Sequence, residues 1–100
     1  MKPLMCPAAI DIDVTKDMVI DHLAYQMAMY QKRADEYYYI HNDVSHSSWL
    51  CDLFSGVVQV ALNMGIVKET YDKAYEYYDF RNSGRPGYTL KDGVIVKEEV

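Results

Sequence analysis

Apolar residues recur at helical spacing over three stretches of this chain and at strand spacing over two more. From Trp49 to Met64, WLCDLFSGVVQVALNM, the residues Leu50, Leu53, Val57, Val60 and Met64 fall three and four apart, which is one face of a helix. Trp49, Phe54, Val58, Ala61 and Leu62 spread apolar surface over most of the remaining circumference, and Asp52 is the one charge. A helix apolar nearly all round is buried on several sides or lies against a second chain. This segment, a helix over about 48–64, is therefore expected to be the protected middle of the fold. Ser47 and Ser48 can accept from the free amides of its first turn, Asp52 favours its positive end, and Gly65 suits the left-handed terminating position. At about 17 residues, broken by Asp52 and Gln59, it falls short of a membrane span.

A longer helix is expected before it, over about 16–41. Thr15 or Asp17 caps its start, and Ile20, Leu23, Met27, Tyr30, Ala34, Tyr37 and His41 keep three-four spacing along it. A second row, Met18, Tyr25 and Met29, widens the face enough for two neighbours or for a dimer partner along this helix. A third helix is expected over about 66–81 from Val67, Tyr71, Ala74 and Tyr78, with Glu69 and Lys73 spaced for an ion pair. Ser83-Gly84-Arg85-Pro86-Gly87 then forms a loop.

Two stretches carry the period of a strand. Ala9 to Val14 alternates Ile10, Ile12 and Val14 with Asp11 and Asp13, and residues 1–8 before it read as a loosely held arm. Near the end, Asp92-Gly93 between Tyr88-Thr89-Leu90 and Val94-Ile95-Val96 fits a two-residue hairpin turn over 88–97, because both central positions need positive φ. The expected fold is α+β and mainly α, one domain over 1–100, with the 9–14 strand as the natural partner of the hairpin. Arg33–Asn42 and Lys73–Asn82 share Ala, Glu, Tyr, Tyr and Asn in register, read as two helix ends closed by an asparagine rather than as a repeat.

Composition narrows the partners. Half the residues are hydrophobic and a quarter charged, with a formal net charge of −5, so an ordinary core is feasible without staples. The ten bases are dispersed, which disfavours direct nucleic-acid binding and attachment to an anionic membrane. The N-terminus has no signal-peptide core, and a cytoplasmic location is expected. Cys6 and Cys51 stand in no metal or redox spacing, and Cys51 is expected to be a small buried thiol.

Candidate chemistry is sparse. His41, Asp43 and His46, with Cys51 beyond, contain the parts of a metal or nucleophile site, but their spacing crosses from a loop into a helix. No phosphate-binding loop or hydrolase motif occurs, and no cofactor is expected. Ten tyrosines are the unusual feature. Three in a row, Tyr37-Tyr38-Tyr39, span about 200° of a helix and cannot all enter one core. With Tyr75, Tyr77, Glu76 and Asp79 they form the expected partner-binding set.

The expected function is a small acidic protein-interaction or regulatory module, homodimeric through its long helix, acting on a protein partner that is basic or itself binds nucleic acid. Its size and charge suit an accessory protein or inhibitor of a phage or mobile element. Two alternatives stand beside it. One is a small metal-dependent enzyme using His41, Asp43 and His46. The other is a DNA-binding regulator, since helices followed by a hairpin resemble a winged helix, although Glu69, Asp72, Glu76 and Asp79 on its third helix would repel phosphate.

Overall fold

Thr15 opens the first helix as expected, its Oγ1 accepting from the Met18 amide at 3.2 Å. In the computed structural model, which describes residues 14–99, this helix is α1 (Lys16–Asp35), and a π-helical turn, Glu36–Ile40, continues it. α2 (Val44–Asn63), α3 (Val67–Tyr77) and an antiparallel hairpin of β1 (Tyr88–Lys91) and β2 (Val94–Lys97) follow. The fold is mainly α with a small β part. The arm at 1–8 and all but the last residue of the expected 9–14 strand lie outside the described residues; Val14 itself is exposed coil.

The middle of the molecule is α1, not the apolar segment that follows it. Ile20, Leu23, Met27 and Ala34 of its stripe are buried, and so are Ala24 and Ala28 beside them. α2 runs back along one side: Ala61 joins Ile20, Leu23 and Ile66, while Phe54, Val57 and Val58 pack against the second cluster, which contains Ala24, Met27 and Ala28. α3 returns along the other side and seats Ala74 in the same seam. Alanine at Ala24, Ala28, Ala61 and Ala74 lets the three backbones approach closely, and aromatic rings fill what remains. Phe80 is central among these, with Tyr75 at 4.7 Å and Phe54 at 5.4 Å between ring centroids.

Because α2 and α3 scarcely touch each other, the described residues cover only one face of α2. Ser47, Leu50 and Ala61 are its buried residues, whereas Trp49, Val60, Leu62 and Met64 keep 57, 46, 55 and 52% of their surfaces exposed. The expectation of a helix protected on several sides is thus corrected. Periodicity measures how much apolar surface a helix owns, and the number of neighbours decides how much of it is hidden.

Several boundaries also move. α2 begins at Val44, because Asp43 rather than Ser47 is the cap; its carboxylate accepts from the His46 amide at 3.0 Å. Ser47 and Ser48 therefore lie inside the helix, and Asp52 is well past its positive end. α3 stops at Tyr77 instead of residue 81. Tyr78 is extended (φ −158°, ψ 115°), so Tyr78 and Phe80 point inward and Asp79 outward with the period of a strand. Asn42 does end its helix at φ 54°, but Asn82 closes none, so the resemblance between the two segments is not one of helix ends. The Glu69–Lys73 pair gives way to Lys16–Glu69 at 3.4 Å and Lys73–Glu76 at 3.9 Å.

The turns read from glycine behave as expected. Gly65 stands at φ 72° behind α2. Asp92 and Gly93, at φ 52° and 77°, turn the hairpin with Lys91 opposite Val94, which brings Leu90 and Ile95 onto the main core.

If α1 is the central element, truncations on α1 and α2 should differ. Met27→Ala, at a site with no exposure, is expected to cost about 2–5 kcal/mol, and Leu62→Ala no more than about 0.5 kcal/mol. Urea unfolding followed by circular dichroism compares them; equal losses would return α2 to the centre.

Candidate interaction surfaces

A buried carboxylate organises the end of α1. Ala24, Ala28, Gln31 and Asp35 follow four-three-four spacing beside the main stripe, so Asp35 enters the core. There the Tyr78 hydroxyl donates to it at 2.5 Å, Ser83 Oγ at 2.5 Å and Gln31 Nε2 at 2.9 Å. Burial and the neighbouring Asp35 carboxylate raise the Tyr78 pKa, so at neutral pH it remains a phenol and a donor. The network pins residues 78–83 to α1 and is saturated by the protein's own groups. Its role is structural, and nothing in the stripe pattern singled Asp35 out.

The tyrosine run divides by direction. Tyr37 turns toward α2 and stacks on the His46 ring, 4.9 Å between centroids and 18° between planes. Tyr39 turns toward the loop between α3 and β1, where its hydroxyl accepts from the Gly84 amide at 2.8 Å. Tyr38 is left exposed, its ring edge-on to Tyr39. Two of the three thus serve to fasten the π-helical turn.

His41, Asp43 and His46 do gather around Tyr37, though not as a reactive set. Asp43 spends its carboxylate on the His46 amide and, at 2.6 Å, on the ring Nδ1 of the same residue. His41 packs against the other side of Tyr37. Among the described residues no three histidine, cysteine or acidic side chains converge as a metal-binding group. Cys51 is exposed rather than buried, yet partial desolvation and then the charges of Asp35 and Asp52 push its pKa up. A thiol so placed is a poor nucleophile.

The remaining members of the expected partner set are scattered. Tyr75 is half-buried against Phe80, beneath the Arg81 guanidinium at 5.3 Å. Asp79 is engaged by Arg81 through two bonds of 2.9 and 2.6 Å, which hold its carboxyl below the ordinary range. Tyr77 is different. It is 42% exposed and meets the edge of Tyr25, itself 48% exposed, at 5.4 Å and 71°. Its hydroxyl donates to Asp21, whose acceptance of that bond raises the Tyr77 pKa. Exposed Glu76 stands beside it. The sequence pattern had placed Tyr25 in the second apolar row of α1 and did not connect it with α3.

No family model, curated protein or solved structure matches the chain. Among the described residues, no helix is long and apolar enough to cross a membrane.

Two outcomes follow from the polar networks. Asp35→Ala should lower stability by about 2–4 kcal/mol, since it strands buried donors, and Tyr78→Phe by about 1–2 kcal/mol, both read by urea unfolding. On acidification, the carboxylates of Asp43 and Asp79, whose folded pKa values are depressed, contribute stability above the ordinary aspartate value and lose it as pH falls through their folded values. The thermal midpoint of the protein should therefore drop below about pH 4, and the Asp43→Asn, Asp79→Asn double variant should show a shallower drop.

Proposed function

We propose that the protein is a small acidic regulatory module that works by binding a basic protein partner, using the face where α1 and α3 meet. The observation that carries this reading is the Tyr25–Tyr77 pair, with Asp21 bonded to Tyr77 and exposed Glu76 next to it in the chain. Two large rings left nearly half open supply contact area at low entropic cost, the composition of an interface anchor. Their faces attract a cation, and the Lys73 ammonium already lies 6.0 Å from the Tyr77 centroid. A lysine or arginine of a partner would meet both the π faces and the carboxylates.

The outward side of α3 adds Glu69 and Asp72, and Asp79 follows just beyond its end; these carboxylates repel a phosphate backbone. That charge argues against the winged-helix alternative, and Asp43's commitment to His46 argues against the metalloenzyme. Size and charge suit an accessory protein or inhibitor of a phage or mobile element, one that occupies a basic groove.

Titration with an arginine-rich peptide, followed by calorimetry, tests the reading. Binding should weaken steeply with added salt, and Tyr77→Ala or Glu76→Lys should each reduce affinity about three- to tenfold. Affinity unchanged in both variants would set the proposal aside.

A further inference from the structure

The open flank of α2 is a second surface, and its chemistry is opposite to that of the acidic face. Trp49, Leu53, Gly56, Val60 and Met64 follow one another at four, three, four and four residues, so they line one side of α2 for about 22 Å at 1.5 Å per residue. None carries a charge. The chain from Ser47 to Val67 contains Asp52 alone, so the stripe itself gives a basic or acidic partner little charge to match; Arg33 stands at the border of the cleft beside Trp49.

Gly56 is the informative residue. It lies inside a helix, where glycine costs roughly 1 kcal/mol relative to alanine. Its φ is not positive, and a Cβ built on it would meet no atom of the described residues within 4 Å. Nothing among the described residues requires glycine there. A second helix crossing close to the backbone would require it.

The geometry points to a second copy of this chain as the occupant, packed antiparallel about a two-fold axis at Gly56. Large residues flank that glycine on both sides, Trp49 and Leu53 before it and Val60 and Met64 after it. A two-fold at Gly56 sets Trp49 of one copy between Val60 and Met64 of the other, large against smaller side chains, twice over. Such self-complementarity is what an isologous interface demands. The two Asp52 residues would stand about 12 Å apart along the axis by helical rise, beyond a Debye length of roughly 8–10 Å. Two chains of net charge −5 can meet over an uncharged face, and this is such a face.

With Trp49 more than half open, the stripe offers on the order of 500 Å² per copy, within the size range of the apolar patches that mark interaction sites. Met29 and Tyr30 border the cleft beside Trp49 and Leu53. They extend the surface toward the roughly 800 Å² per partner of a standard interface. The acidic face at the α1–α3 junction is a different surface, although Tyr25 borders both it and this cleft.

The chain has a single tryptophan, so Trp49 reports directly. Sedimentation velocity of the full chain, from low to high micromolar concentration, should show a species of twice the 11.6 kDa chain mass, with Trp49 emission shifting to the blue over the same range. Gly56→Arg, which replaces a helix-weakening residue at an open position, should fold at least as well by circular dichroism, weaken association about tenfold or more and keep the emission red. Val60→Glu should do the same. A chain that stays monomeric throughout, or a dimer that persists in both variants or leaves the Trp49 emission unchanged, would overturn the proposal.

Discussion

The buried Asp35 carboxylate is the constraint on which the arrangement depends. A carboxylate removed from water is costly unless its oxygens find donors, and here the donors come from Gln31 on the same helix and from Tyr78 and Ser83 far along the chain. Satisfying it obliges the chain to leave helical geometry at Tyr78. That departure turns Tyr78 and Phe80 inward together, and Phe80 then gathers Phe54, Tyr71 and Tyr75 around it. One polar group thereby sets the end of α3 and the composition of the aromatic core.

The same network explains the distribution of the tyrosines. Tyr78 is consumed as a donor, Tyr39 as an acceptor for the Gly84 amide and Tyr37 as a stacking partner of His46. Those three hold the ends of elements in place. Tyr25 and Tyr77 face each other at the surface between α1 and α3, where the hydroxyl of Tyr77 turns to an exposed aspartate. The division between structural and surface tyrosines follows from where buried polar groups need partners.

α2 supplies the other asymmetry. Three helices packed fully against one another would hide more of it, but α2 and α3 each lie mainly against α1 and meet each other only locally, as at Phe54 and Tyr71. The inner face of α2 is then used, and its outer flank is left largely apolar and interrupted by a glycine that no described residue approaches. The molecule consequently presents two surfaces of different character, one acidic and aromatic, the other neutral and aliphatic with Trp49 at one end.

Periodicity, capping and turn chemistry determined the local elements by themselves. The three-four spacing of Ile20, Leu23, Met27 and Ala34, the Thr15 cap, the Gly65 terminator and the Asp92-Gly93 hairpin are all interactions among near neighbours, and such interactions are written in order along the chain. The tertiary structure decided the rest. Apolar content could not say that Trp49 and Met64 stay open, because exposure depends on how many elements arrive from elsewhere. Helical spacing through Tyr78 could not show that α3 ends early, since the competing partner, Asp35, is 43 residues away. Tyr25 and Tyr77 became one surface for the same reason: their proximity is a product of packing, which no local pattern encodes.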